Sequence, residues 1–247
     1  MMKKQITNMT VAKFMGISQC PAFLANEITS QLSHPKKSIM GHFVWQCMEV
    51  NNTFLMKNAV KLCQIQPDHN ILEVGFGAGI GLHEATKFMT GPEGKLFGLD
   101  PSEYMHKVAQ ERLASHLGAG KVHLLRGQVE SIPLPDKCIH GVYHSNCHMY
   151  WPDKTAAATE LLRVMKPGAR MVATVDMAVL RGGVRQGFFQ GMSIEPEPYM
   201  EALNAVGFVD VHKVDKQDGS RNFLAIFATA PPTSECSGAL RSYAALN

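Results

Sequence analysis

The chain has 247 residues, of which 45% are hydrophobic and 18% are charged, and its formal net charge is +3. This length and composition are those of an ordinary globular protein, and 247 residues fit one domain with an added cap, large enough to bury a full core. The charge is too small and too scattered to favour a nucleic-acid partner, and no stretch approaches the roughly 20 apolar residues of a membrane span. The six cysteines follow no scaffold pattern, which favours reduced thiols in a cytoplasmic protein.

Residues 1–69 precede any strand–helix alternation and are predicted to form an N-terminal helical cap. Apolar residues recur at helical spacing from Trp45 to Cys63, which predicts a helix of about five turns with one apolar face. Breaks at Cys20-Pro21, His34-Pro35 and Gly41 predict short jointed helices before it. Such a segment can open and close over a bound ligand, so we expect it to act as a lid.

Strands and helices alternate with short links after residue 70. Strands are predicted at 70–74, 95–99, 122–126, 139–144, 170–176, 209–214 and 222–228, and helices at 79–89, 102–117, 153–165 and 196–206. Repeated strand–helix units predict a doubly wound, mostly parallel sheet. The last two strands are joined without a helix by Asp215–Ser220, so we expect that pair to be antiparallel. The predicted domain therefore spans 70–230, and 231–247 is expected to be a flexible tail.

A glycine-rich turn, Glu73-Val-Gly75-Phe-Gly77-Ala-Gly79, follows the first of these strands. Alternate glycines allow a tight turn and leave room for a ligand against bare main chain. The dinucleotide fingerprint G-x-G-x-x-G fails, because its last position falls on Ile80 when it is counted from Gly75. That failure argues against a nicotinamide-dependent oxidoreductase.

The glycine turn, with its acidic residue Glu73, resembles motif I of the class I methyltransferases that use S-adenosylmethionine (SAM). The second strand ends at Asp100, and the segment from Asp100 to Met105 resembles the second motif of that family. In that motif the acid accepts the ribose hydroxyl groups and an apolar residue packs on adenine. The position where the family usually has an acid that meets the adenine amino group is occupied by Gln128, whose amide oxygen can still accept.

The resemblance covers roughly residues 45–228 and includes the Lys166-Pro167-Gly168 break, which is frequent in the small-molecule (methyltransferase type 11-like) branch of the family. It implies a Rossmann-like sheet of seven strands whose last strand is antiparallel, an N-terminal helical cap, SAM as cofactor and S-adenosylhomocysteine (SAH) as product. The cofactor-binding residues that it implies are Glu73, Gly75, Gly77, Gly79, Asp100, Pro101, Ser102, Met105, Gln128, Val129, Glu130, His144 and Asn146.

The implied reaction is methyl transfer to oxygen, nitrogen, sulfur or carbon of a small-molecule acceptor, by a monomer or a homodimer. Holding the acceptor in line with the methyl group supplies most of the acceleration, and a base is needed only if the acceptor must lose a proton. The candidate catalytic residues are His148 and Tyr150. The candidate substrate contacts are Trp45, Met48, Asn52 and Asp176.

Other functions remain open or are disfavoured by particular residues. Gln128 permits a non-catalytic, SAM-binding regulatory or scaffold subunit. The segment Asn146-Cys-His-Met lacks the Asn/Asp-Pro-Pro-Tyr/Phe pattern of enzymes that methylate a flipped base. His140, His144 and His148 begin in a strand, where four residues span roughly 13 Å, so we expect no metal site. Thiol-dependent arsenic methylation would require Cys47, Cys63 and Cys147 to converge.

Overall fold

The computed structural model describes residues 22–233, and its centre is one seven-stranded sheet. The strand order is β3-β2-β1-β4-β5-β7-β6. The strands are β1 (Asn70–Val74), β2 (Lys95–Asp100), β3 (Val122–Arg126), β4 (Ile139–Ser145), β5 (Met165–Val175), β6 (Val209–Asp218) and β7 (Arg221–Thr229). Strands β1 to β5 pair in parallel, and β7 runs antiparallel to both β5 and β6. The predicted fold class, including the antiparallel end of the sheet, is confirmed.

Helices cover both faces of the sheet and its carboxyl edge. They are α1 (Ala22–Ser33), α2 (Ile39–Leu62), α3 (Ile80–Ala85), α4 (Glu103–Arg112), α5 (Ala114–Gly118), α6 (Lys154–Val164), α7 (Met177–Arg185) and α8 (Glu197–Val206), with a short 3₁₀ turn at His148–Tyr150. None of the helices within residues 22–233 is long and apolar enough to cross a membrane.

Side chains before several helices satisfy the first free backbone N–H groups. Ser38 accepts from Gly41 N before α2, and Asp153 accepts from two backbone N–H groups at the start of α6. The buried runs of β1, β4 and β5 then pack between helices, with one apolar cluster on each face. Because these strands are buried on both faces, their sequences are continuous apolar runs rather than alternating apolar and polar residues.

Several predicted boundaries differ from the structure. Helix α2 begins at Ile39 rather than near Trp45 because Ser38 caps it there. The predicted helix 102–117 divides at Leu113, whose backbone leaves the helical region. Helix α6 ends at Val164, so Lys166-Pro167-Gly168 is the start of β5 rather than a helix cap.

Other elements were not predicted. Strand β6 continues to Asp218 through exposed polar residues that carry no apolar signal but pair with β7. Helix α7 was absent from the prediction, and α1 had been expected only as part of a jointed cap. The break at Cys20-Pro21 and most of the predicted tail, 234–247, lie outside the described residues.

The sheet topology defines where a ligand site is expected. Strand order reverses between β1 and β4, which makes this the topological switch point of the sheet. In open α/β sheets, ligands bind outside the carboxyl ends of the strands at such a point. Helix α2 lies over this edge.

Candidate functional site

Helix α2 crosses the carboxyl edge of the sheet and contacts the strand ends in spatial order. Near its start, Trp45 Nε1 donates to the Tyr104 hydroxyl, just beyond β2, at 3.1 Å. Two turns later, Asn146 Nδ2, just beyond β4, donates to Asn52 Oδ1 at 3.1 Å. Thr174 Oγ1 in β5 then donates to the Leu55 carbonyl at 3.2 Å. The helix therefore forms a roof across the ends of β2, β1, β4 and β5.

A cavity of about 290 Å³ lies between this roof and the strand ends. Twelve of the predicted site residues line it: Trp45, Met48, Asn52, Gly75, Gly77, Asp100, Pro101, Met105, Gln128, Val129, Asn146 and Tyr150. Glu73, Gly79, Ser102, Glu130, His144, His148 and Asp176 do not line it. The roof and the strand ends thus bring together most of the residues that the sequence singled out.

The glycine turn forms the floor of the cavity, and each of its three glycines is required for a different structural reason. Gly75 has φ +69°, and a Cβ on it would lie 2.5 Å from Cys147 Sγ. Gly77 has φ +51° and faces open space, with no atom within 4 Å of a Cβ position. Gly79 opens α3 with φ +77° and packs on Ala109 instead of facing the cavity. Only glycine combines these backbone angles with the room that a ligand needs.

Asp100, at the end of β2, is hydrogen-bonded to the glycine turn. Its Oδ2 accepts from Gly77 N and its Oδ1 accepts from Ser102 N, both at 2.9 Å, and the residue is 6% exposed. Burial raises the pKa of Asp100 above its usual value, and the hydrogen bonds from Ser102 and Gly77 oppose that shift. Each carboxylate oxygen keeps a second lone pair for a ligand hydroxyl.

Glu73 lies beneath the turn rather than beside the cavity, so its predicted contact with the cofactor stays a prediction. The Tyr143 hydroxyl donates to Glu73 Oε2 at 3.1 Å. A Cβ on Gly81 would lie 2.1 Å from Glu73 Oε1, so the carboxyl group is packed against the first turn of α3. Burial raises the pKa of Glu73 well above its usual value. Glu73 therefore supports the glycine turn by packing beneath it.

The predicted adenine side of the cavity is apolar with one amide. Met105 and Val129 are buried at the wall, while Gln128 is exposed at the rim. Ser102 is turned away: its Oγ donates to the Pro35 carbonyl at 2.7 Å and accepts from Met105 N. Ser102 therefore connects the α1–α2 loop to the end of β2, and its predicted ligand contact stays a prediction. Glu130 also lies off the cavity wall.

His144, near the end of β4, and His148, in the 3₁₀ turn beyond it, are core residues, so their predicted roles at the ligand stay predictions. His144 is 0% exposed, and its Nε2 lies 2.9 Å from the Tyr199 hydroxyl in α8. His148 is also fully buried and stacks on Tyr199 with ring centroids 5.3 Å apart. Burial lowers the pKa of His144 to about 3 and that of His148 to about 4. The 3₁₀ turn at His148–Tyr150 directs His148 into the core and Tyr150 to the cavity.

Asp176 likewise has a structural role away from the cavity. Its Oδ1 accepts from Val179 N as the cap of α7, and its Oδ2 pairs with Arg221 at 3.2 Å. The predicted substrate contact of Asp176 therefore stays a prediction. Its backbone N donates to Asn146 Oδ1 at 3.1 Å, which links it to the cavity only indirectly.

The described residues contain no group of three or more His, Cys, Asp or Glu side chains that could hold a metal ion. His140 stacks on His69 at the opposite end of β4 from His148. The thiols do not converge either. Cys63 contacts the Val142 carbonyl, whereas Cys147 contacts the Val74 carbonyl beside the glycine turn.

Sequence reasoning missed part of the cavity wall, including residues 32–35 at the end of α1 and just beyond it, Glu49, Met56, Cys147 and Trp151. Glu49 and Met56 could have been found, because they share the helical face of Trp45 and Asn52 at intervals of three and four residues. For residues 32–35 the only signal was the break at His34-Pro35, which indicates a joint in the cap but no contact with the cavity.

The chain is similar to known methyltransferases in both sequence and fold. A family profile described as a methyltransferase domain matches residues 71–168. The uncharacterized methyltransferase YdaC of Bacillus subtilis is 30% identical over 129 residues, which are 52% of this chain and 68% of that protein. A demethylmenaquinone methyltransferase of Desulfitobacterium hafniense is 32% identical, over 54% of this chain and only 52% of that protein's length.

Solved structures share the fold at lower identity. A SAM-dependent methyltransferase from Aquifex aeolicus has a TM-score of 0.55 at 23% identity, covering 71% of this chain and 89% of that chain. Phosphoethanolamine N-methyltransferase 2 of Haemonchus contortus, solved with SAM, has a TM-score of 0.62 at 14% identity, covering 83% of this chain and 60% of that chain.

This chain belongs to the class I SAM-dependent methyltransferase family. It is therefore an enzyme of that class, with SAM as its cofactor. The cavity fits the cofactor on two observations: bare main chain at Gly77 and a buried carboxylate at Asp100 with free lone pairs.

Proposed function

We propose that this enzyme transfers the methyl group of SAM to a small-molecule acceptor bound in the cavity under α2. The observation that carries the proposal is the roof itself. Helix α2 is hydrogen-bonded to Tyr104 at the start of α4 and to Asn146 just beyond β4, and between these two contacts Met48 and Glu49 of the helix line the cavity. A covered cavity suits a small acceptor and excludes water from the reacting atoms.

In this proposal the β2 and β3 ends bind the nucleoside part of the cofactor. Asp100 accepts hydrogen bonds from the ribose hydroxyls with its remaining lone pairs. Met105 and Val129 provide apolar surfaces for adenine, and the Gln128 side-chain oxygen accepts from the adenine amino group. We assign Trp45 to this end instead of the acceptor end, because its indole nitrogen donates a hydrogen bond to Tyr104 in the first turn of α4, which follows β2.

The acceptor end lies toward β4. Met48, Asn52 and Tyr150 line it, together with Trp151. Asn52 and Asn146 hydrogen-bond to each other at 3.1 Å, so both side chains are held in fixed positions at this end. SAM supplies a methyl group that is already activated on a sulfonium, so the work of these residues is to position the acceptor and to exclude water.

No base is assigned at the acceptor end. Burial raises the pKa of Cys147 to about 12 and also raises the pKa of Tyr150, so both groups keep their protons near neutral pH. The predicted base His148 is buried behind the cavity wall. We therefore propose that catalysis rests on proximity and in-line orientation.

The names of relatives support a small acceptor. They include demethylmenaquinone methyltransferases and O-methyltransferase rstn1 of Aspergillus nomiae, which is 26% identical over 61% of this chain. We further propose that the predicted cap, residues 1–69, covers the domain 70–230; its first 21 residues lie outside the described part of the chain. Within the described part of this cap, residues 32–35 reach the cavity, and the Ser102 hydroxyl donates to the Pro35 carbonyl.

A methyl-transfer screen with methyl-labelled SAM tests the proposal. The enzyme is incubated with metabolite, protein and nucleic-acid fractions from the source organism, and the label is followed in each. The proposal expects enzyme-dependent label in the metabolite fraction. Label that appears only in protein or nucleic acid would overturn the small-molecule assignment while leaving the class of enzyme intact.

A further inference from the structure

The middle of the roof carries a charged side chain that faces the cavity. Glu49 lines the cavity, one turn beyond Trp45 and one turn before Asn52 on α2. Because Trp45 lies over the β2 side and Asn52 over β4, Glu49 lies over the glycine turn that follows β1. In the described part of the chain, Glu49 and Asp100 are the acidic side chains on the cavity wall.

We propose that the Glu49 carboxylate binds the ammonium group of the cofactor's amino-acid end, and that Arg112 is the positioning residue for Glu49. The inference rests on the proposed function, which places the ribose at Asp100. With the nucleoside bound at the β2 and β3 ends, Glu49 would be the acidic side chain available on the cavity wall for the rest of the cofactor. The amino-acid end of SAM carries an ammonium group, and a carboxylate is its natural acceptor.

The Glu49 carboxylate can accept a further hydrogen bond. Its Oε1 accepts from Arg112 at 2.8 Å, and its Oε2 receives no hydrogen bond from a described residue. Asp100, in contrast, already accepts a backbone N–H on each oxygen. The side chain of Glu49 is 29% exposed, so the carboxylate is partly screened from solvent before any ligand arrives.

Arg112 fixes Glu49 relative to the glycine turn. One guanidinium nitrogen donates to the Ala78 carbonyl in the turn at 2.9 Å, and the other donates to Glu49. Arg112 itself does not line the cavity. The planar guanidinium group therefore connects Glu49 of α2 to the glycine turn from outside the cavity. A lysine ammonium does not reproduce this two-pronged geometry.

Calorimetry with three nucleosides tests the proposal on the full chain. The ligands are SAH, its analogue without the amino group, and 5′-methylthioadenosine, which lacks the whole amino-acid end. For Glu49→Gln we expect SAH affinity to fall about 10- to 100-fold, the usual worth of a hydrogen bond to a charged group. The affinities of the other two ligands should stay unchanged. Glu111→Gln, which removes an exposed carboxylate of α4 outside this cavity, is the matched control and should bind all three like the parent.

The positioning role predicts a graded result at Arg112. Arg112→Ala should lower SAH affinity while sparing 5′-methylthioadenosine, and Arg112→Lys should recover only part of the loss. Equal weakening of all three ligands by Glu49→Gln would show a structural role and overturn the proposal, and so would unchanged SAH affinity. If the parent protein binds none of the three, the proposed function itself fails.

Discussion

Replacing Asp100 tests how the strand end and the glycine turn act together. Its two oxygens accept from Gly77 N and Ser102 N at 2.9 Å, inside a buried site. Asp100→Ala leaves both N–H groups without that acceptor, at about 1–3 kcal/mol for each one that stays buried. It also removes the acceptor for the ribose, which is worth about 1.5–3 kcal/mol, or roughly 10- to 150-fold in Kd.

Asp100→Asn separates these two effects. An amide has one acceptor oxygen and one donor nitrogen, so it can pair with only one of the two backbone N–H groups. We therefore expect Asn to destabilise the fold less than Ala does, while both variants bind SAH more weakly than the parent. Urea unfolding gives the free energy of unfolding, and calorimetry gives Kd. Parent-like SAH affinity in Asp100→Ala would refute the placement of the ribose.

Three further predictions follow from other parts of the structure. Gly77→Arg should abolish SAH binding, because the new side chain fills the cavity. The control Gly120→Arg has a similar positive φ of +68° and no atom within 4 Å of its Cβ position, and it should leave the Kd for SAH unchanged. Calorimetry on both variants separates a steric block of the cavity from the effect of backbone strain. In the folded state, the pKa of His144 is lowered from the usual 6.5 to about 3 and that of His148 to about 4. The free energy of unfolding that depends on these neutral rings is therefore fully present above pH 6.5 and is lost as the pH falls from 6.5 toward 3 to 4. His148→Phe should therefore lose less stability than the parent between pH 7 and pH 5 in urea unfolding, and an equal loss in both would contradict the buried, neutral ring. Removing residues 1–37 should impair methyl-transfer turnover more than it impairs folding of the sheet, because it deletes residues 32–35 from the cavity wall but keeps the Ser38 cap of α2. Equally fast proteolysis within 22–37 with and without SAH would argue against a cofactor-linked cap.

The sheet was predictable because its signals are local. Buried apolar runs predict the central strands, and the spacing of Gly75, Gly77 and Gly79 predicts the turn that follows β1. Asp100 was predictable because it ends an apolar strand before a helix cap.

The roles of other residues depend on contacts that sequence spacing does not contain. His144 lies near the carboxyl end of β4 and His148 just beyond it, where ligand residues are often found, but α8 places Tyr199 against both rings. Glu73 is part of the motif, yet the packing of Gly81 decides that its carboxyl group lies below the turn. The Glu49–Arg112 pair joins residues 63 positions apart, so only the folded structure shows it.

Hydrogen–deuterium exchange with and without SAH tests most directly that the cavity under α2 is the SAM site. Binding should slow exchange in three segments that line the cavity, namely residues 45–56, 75–80 and 99–105. NAD at the same concentration serves as the matched control and should leave these segments unchanged. Protection by SAH elsewhere in the chain, or equal protection by NAD, would contradict the assignment of this cavity.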